Sequence, residues 1–181
     1  MNAKVKSIIE FKTRILRASI TKAAATTAYS SGDVVANAAD DNGFIFPGAA
    51  DIGGVRSGSI EFMTIRSSAN QASKMIGELW LFDQPQASLV ADNGVFNPSD
   101  ADLDNLIGII SFADTDWKVG GSTSGVNGNA VAQIRTDGIP YFLRGTDRPD
   151  ALKIYGALVL RAAYTPISGE IISINLGTYQ D

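Results

Sequence analysis

Val55-Arg-Ser-Gly-Ser-Ile-Glu-Phe-Met-Thr-Ile-Arg66 carries a two-residue alternation. Val55, Ser57, Ser59, Glu61, Met63 and Ile65 fall on one parity, and Gly58, Ile60, Phe62 and Thr64 on the other. A repeat of two is the period of a β-strand, whose successive side chains point to opposite faces. Both parities are partly apolar. Working outward, Met75-Ile-Gly-Glu-Leu-Trp-Leu-Phe82 is a short apolar run that stops at Asp83-Gln84-Pro85. Ile107–Phe112, Ile139–Leu143 after a turn at Asp137-Gly138, and Ile171–Leu176 have the same character. Lys153–Ala163 has a length that also suits a helix, but its neighbours favour a strand. Val5–Ile20 fits a helix with Ile8, Ile9, Phe11, Ile15 and Leu16 inward, or a long strand; the strand agrees with the rest of the chain.

The connections point the same way. Ser31-Gly32, Asn42-Gly43, Gly53-Gly54, Asn93-Gly94, Gly120-Gly121, Asn127-Gly128, Asp137-Gly138 and Ser168-Gly169 are chain-reversing pairs. Of the 19 acidic residues only Glu10, Glu61, Glu78 and Glu170 are Glu, so turn-forming Asp far outnumbers helix-forming Glu. One short helix is expected within Pro98–Leu106, with Ser99 as its N-cap and Asp100 and Asp102 in its first turn. The fold expected is therefore all-β: an antiparallel β-sandwich, jelly-roll-like, with one short helix.

The 181 residues suit one sandwich domain, residues 23–181, preceded by a basic segment, residues 1–22, that is an arm or the first strand. That segment carries Lys4, Lys6, Lys12, Arg14, Arg17 and Lys22 against Glu10, a net of +5, which leaves −9 for the rest of a chain whose total is −4. The six cations are the candidate partner-binding residues, reaching toward an acidic surface. The overall sign is wrong for a nucleic-acid binder. No stretch has the length of a signal peptide's apolar core or approaches the ~20 apolar residues of a membrane span, so synthesis in the cytoplasm and no membrane partner are expected.

The chain has no cysteine and no histidine. Disulfides, thiol nucleophiles, Cys/His zinc sites and every relay with a histidine base are excluded. Asp100, Asp102, Asp104 and Asn105 begin with the spacing of a calcium loop, but the sixth position lacks Gly and the twelfth is Ser111 rather than Glu. First-turn helix residues explain them better. No pair of carboxylates stands out for glycoside hydrolysis. Gly53-Gly54-Val55-Arg56-Ser57-Gly58 lacks the lysine of a phosphate loop. Trp80, within Leu-Trp-Leu-Phe, is expected in the core, whereas Trp117, between Asp116 and Lys118, and Tyr141 are the aromatics expected to be exposed for a ligand such as a sugar. The Gly120–Asn129 stretch is expected to be an outward loop. No catalytic residue, cofactor or metal is expected, and the chain is expected to bind rather than to catalyse.

Three ordered stretches carry a resemblance. They are Thr26-Thr-Ala-Tyr-Ser-Ser-Gly-Asp-Val-Val35; Trp80-Leu-Phe-Asp-Gln-Pro85 followed by Ala91-Asp-Asn-Gly-Val-Phe-Asn-Pro-Ser-Asp-Ala-Asp-Leu103; and Leu158-Val-Leu-Arg-Ala-Ala-Tyr-Thr-Pro166 before Ser168-Gly-Glu170. From about residue 20 onward the chain resembles a group of small tailed-bacteriophage virion proteins. The resemblance implies a non-enzymatic β-sandwich of the virion, a head decoration or cement protein that binds the major capsid protein lattice, often as a homotrimer. Its alternative is the receptor- or glycan-binding head of a fibre or tail component, which would use Trp117 and Tyr141.

Overall fold

The alternating stretch folds as a strand, and its two-sided apolar character has a specific cause. In the computed structural model, which describes residues 12–22, 27–37, 43–49, 56–69, 71–86, 92–119, 129–144 and 152–180, the strands in chain order are β1 (Lys12–Thr21), β2 (Val34–Val35), β3 (Phe44–Pro47), β4 (Ser57–Ser67), β5 (Gly77–Phe82), β6 (Leu106–Phe112), β7 (Trp117–Val119), β8 (Ala130–Phe142), β9 (Lys153–Leu160) and β10 (Ile171–Gln180). Along β4 the buried residues are Gly58 and Ile60, then Met63, Ile65 and Ser67, so the inward parity switches at Glu61. The ladder to β8 shifts register at the same level, between Ile60 and Phe62. A β-bulge therefore turns the strand over, and each parity faces the core for half its length.

The partner strand bulges there too. Asp137-Gly138, expected as a turn, lies inside the continuous strand β8, with Gly138 at φ 73°. The correction has a plain cause: a residue pair that supplies positive φ serves a bulge as well as a hairpin end. The other uncertain stretches resolve as strands. Lys12–Thr21 is β1, paired with β10 from Lys12↔Gln180 to Thr21↔Ile171, while the earlier part of Val5–Ile20 lies outside the described residues. Lys153–Leu160 is β9. The expected helix is a single turn, Asp100–Leu103, closed by a reciprocal capping box between Ser99 and Asp102.

Sheet one has the order β1-β10-β4-β8-β7 and sheet two β2-β9-β5-β6, with β3 continuing beside β9 after β2. All pairings are antiparallel, and they nest: β5 with β6, β4 with β8, β2 and β3 with β9, β1 with β10. A long hairpin rolled so that successive pairs alternate between two sheets is a jelly roll. The inner faces meet in one core that includes Leu16, Met63 and Ile174 from sheet one and Phe46, Leu79 and Leu158 from sheet two. Strand β9 is buried on both faces from Gly156 to Leu160. On the edge of β2 away from β9, residues 93–96 run along that strand, held by Val34 N to Gly94 O at 2.8 Å and Phe96 N to Gly32 O at 2.8 Å. Phe96 then packs edge-on against Trp80, the register partner of Ala157.

Two glycines are fixed by close approach. A methyl on Gly58 would strike the Tyr179 carbonyl and the Tyr141 ring, and one on Gly177 would strike the Phe62 ring. Backbone cannot yield as a ring can, so Gly58→Ala is expected to lower the unfolding free energy by about 1–3 kcal/mol in urea melts, and Gly177→Ala by less, through a shift of Phe62.

Candidate functional site

The expected partner-binding cations do not act as one group. Lys4 and Lys6 lie outside the described residues, and Lys12 is placed by its backbone, opposite Gln180 at the start of β1. Arg14 is half-buried and donates from Nη1 to Gly48 O at 3.3 Å. Lys22 is turned inward, at 3% exposure. Its Nζ donates to Asp92 Oδ2 and, at 3.2 Å, to Ala36 O, and it lies 5.1 Å from the centre of the Tyr29 ring. Asp92 Oδ1 in turn accepts from Tyr29 OH at 2.6 Å and Ala36 N at 2.9 Å. A buried ammonium is held only where its charge is paired, so Lys22 is part of the framework and not of a docking surface. Of the six, Arg17 has its side chain on the outer face of sheet one, exposed.

The two expected exposed aromatics are also inward, and this is a correction. Trp117 is 7% exposed because it is the inward residue of β7 opposite Ala132. Its Nε1 donates to Met75 O at 2.7 Å and its ring meets Phe112 edge-on. Tyr141 is 4% exposed and donates to Ala49 O at 3.0 Å. Flanking charges misdirected the expectation for Trp117, since strand neighbours point to the opposite face. Trp80, expected in the core, is instead half-buried on the outer face of sheet two, donating to Glu78 Oε2 at 2.9 Å. Residues 120–128 of the expected outward loop lie outside the described residues.

The outer face of sheet one carries an open groove. Pairing aligns Arg17, Asn175, Thr64 and Gln133 in one cross-strand row, and Ser19, Ser173, Arg66 and Val131 in the next. Apart from Gln133, the residues of these rows line a groove of about 390 Å³ whose polar groups are two guanidinium groups with hydroxyls and one amide, and no carboxylate lines it. Among the described residues neither Arg17 nor Arg66 is in an ion pair, whereas Arg144 is paired with Asp83 and Arg161 with Glu78. Arg66 was missed in the sequence, although its parity with Thr64, opposite to buried Met63 and Ile65, was the signal. The far end of the same face is apolar: Tyr179 is 44% and Phe142 66% exposed, on rows that pair Tyr179 with Ser59 and Phe142 with Ser57.

Three buried carboxylates, Asp33, Asp102 and Glu170, are committed to the framework. Glu170 accepts from Ser67 Oγ at 2.6 Å, Tyr164 OH at 2.5 Å and Gln71 Nε2 at 3.0 Å. Asp33 accepts from Ser30 N at 2.6 Å, and Asp102 caps the helical turn. Burial, together with the neighbouring carboxylates, pushes the phenols of Tyr29 and Tyr164 far above their usual value, so both stay protonated donors. Among the described residues no group of three or more acidic side chains is placed to hold a metal ion, and no helix is long and apolar enough to cross a membrane. No protein-family model matches the chain, and no curated protein matches its sequence.

Two carboxylates give opposite pH signatures. Arg161 beside Glu78 holds its carboxyl below the ordinary value, so this pair's contribution is present above pH 4.5 and is lost as pH falls through the lowered value. Burial raises the Asp83 carboxyl, against the pull of Arg144, so Asp83 opposes folding at neutral pH and that cost is relieved as pH falls through the raised value toward 3.8. In melting curves from pH 7 to pH 3, Asp83→Asn is expected to lose the relief on acidification and to be no less stable than wild type at pH 7. Arg161→Gln is expected to remove the part of the acid loss that comes from Glu78.

Proposed function

We propose that this protein is a non-enzymatic structural component of a tailed-phage virion, a capsid decoration protein that docks on the major capsid protein lattice and associates with copies of itself as a trimer. The observation that carries the reading is the outer face of sheet one. It is a ladder of five hydrogen-bonded strands, with exposed Tyr179 and Phe142 at one end and Arg17 and Arg66 at the other. Apolar anchors beside charged arginines are the composition of a protein–protein contact, where aromatic and Arg side chains carry most of the affinity. The virion context comes from the resemblance of the three sequence stretches.

The commitment of carboxylates supports a binding role over catalysis. Asp33, Asp102 and Glu170 are engaged by backbone, hydroxyl and amide donors within the fold, and Asp92 by Lys22. A general acid or base needs a carboxyl facing substrate in an open cleft. Multiplicity suits the same reading, since modest affinity at each of many lattice positions sums through a linked oligomer. The glycan-binding alternative has lost Trp117 and Tyr141, the two aromatics on which it rested.

The test is co-sedimentation of purified protein with phage particles stripped of decoration. Saturable binding is expected, weakened about tenfold or more by Phe142→Asp, a change on an exposed side chain in the range of a contact hot spot. A folded protein that ignores the particles, or that turns over a substrate, would overturn the proposal. Saturable quenching of tryptophan fluorescence by a sugar would favour the alternative.

A further inference from the structure

We propose that the Arg17–Arg66 groove receives an extended, carboxylate-rich segment of a protein partner. The inference rests on the docking role given to this face and names what that part of the face takes. Arg17 on β1 and Arg66 on β4 are separated by a single strand, β10, whose Asn175 and Ser173 are their register partners. With strands ~4.8 Å apart and a rise of ~3.4 Å per residue, the two Cα atoms lie roughly 12 Å apart on the diagonal. Between them Ser19, Thr64, Ser173 and Asn175 supply hydroxyl and amide donors. Strand β10 is hydrogen-bonded on both sides, to β1 and to β4, so the floor is fixed before any partner arrives and little ordering remains to be done on binding.

The chemistry selects an anion. Elsewhere in the fold Arg144 and Arg161 have carboxylates of their own. Arg17 and Arg66 have none among the described residues, and the residues lining the groove around them add hydroxyls and one amide but no carboxylate. The guanidinium fork matches a carboxylate through two parallel hydrogen bonds. An extended chain with an acidic side chain at every second position presents carboxylates about 7 Å apart on one face, a spacing that two long, flexible arginines flanking β10 can meet. Nucleic acid fits less well. It calls for a longer cationic track, and the net charge of −4 repels a polyanion at a distance, while a short acidic segment is met locally by the two cations.

The experiment uses the full chain, labelled with ¹⁵N, and a blocked pentapeptide with Asp at its first, third and fifth positions and Ser between. Saturable shifts confined to the facing residues of β1, β10 and β4 are expected, weakening steeply with added salt. Arg17→Gln and Arg66→Gln are each expected to weaken binding about tenfold, and the double variant to abolish it; the spectra report that these exposed changes leave the fold intact. The matching Asn peptide is expected to give no shifts. Absence of saturable binding, shifts elsewhere, or unchanged affinity in the double variant would overturn the assignment. So would tighter binding at these residues by inorganic phosphate or by a short single-stranded oligonucleotide. The particle assay separates the two readings. Peptide binding without particle binding removes the virion role and keeps the groove, and particle binding by wild type without peptide binding removes the groove and keeps the virion role.

Discussion

Neither sheet can cover its own apolar face, and the burial of one against the other is the constraint on which the structure depends. Phe44, Phe46, Leu79, Leu81 and Leu158 from one side meet Ile60, Met63, Ile65, Ile172 and Leu176 from the other, all at or near zero exposure. At about 25 cal/mol per Å² of apolar surface removed from water, this layer outweighs any polar interaction in the molecule. The polar networks then make one end of the sandwich specific. Lys22, Tyr29 and Asp92 form one cluster, and Ser67, Gln71, Tyr164 and Glu170 another. The clusters are joined through backbone, by Lys22 N to Glu170 O at 2.7 Å and by the Tyr29–Tyr164 bridge. Within these two clusters the buried charges are neutralised or surrounded by donors, as low-dielectric surroundings demand.

That layering also explains what the outer faces can do. Side chains on a strand alternate, so a row of residues that faces away from the core is held by the same backbone that positions the core. Arg17 and Arg66 inherit their positions from Leu16 and Ile65 beside them, both buried. The outer face of sheet two differs, because Phe96 and the chain around it lie against Trp80. Among the described residues the molecule is therefore two-sided, with Phe96 against the outer face of sheet two and the groove on the outer face of sheet one.

Much of the architecture was legible in the sequence because it follows from local rules. Period-two alternation marked β4, the apolar runs marked β5, β6, β9 and β10, and the Ser99 cap marked the helical turn. What was not legible depended on pairing. The two-sided apolar pattern of Val55–Arg66 records a bulge at Glu61 that only its neighbours reveal. Lys22 looked like one more cation of a basic segment, because Asp92 lies 70 residues away along the chain. Trp117 and Trp80 exchanged the expected surroundings because their sequence neighbours describe the opposite face of each strand. Arg66 became part of a site only through β10, which brings β1 beside β4. A candidate site built across three strands is a property of register, and register is set by long-range contacts.

The nesting of strand pairs has a consequence for how the chain comes off the ribosome. Strands β9 and β10 are the last two in order and sit in the interior of sheets two and one respectively. Until they emerge, β1 has no partner, and β2 and β3 have no strand to flank. Local hairpins such as β5–β6 can form early, but both layers must await residues 153–180, with apolar strand edges open in the interval. The emergence of β9 and β10 thus brings the two closing events of the fold together, and a chain released before that point would carry two incomplete sheets and a ready route to aggregation.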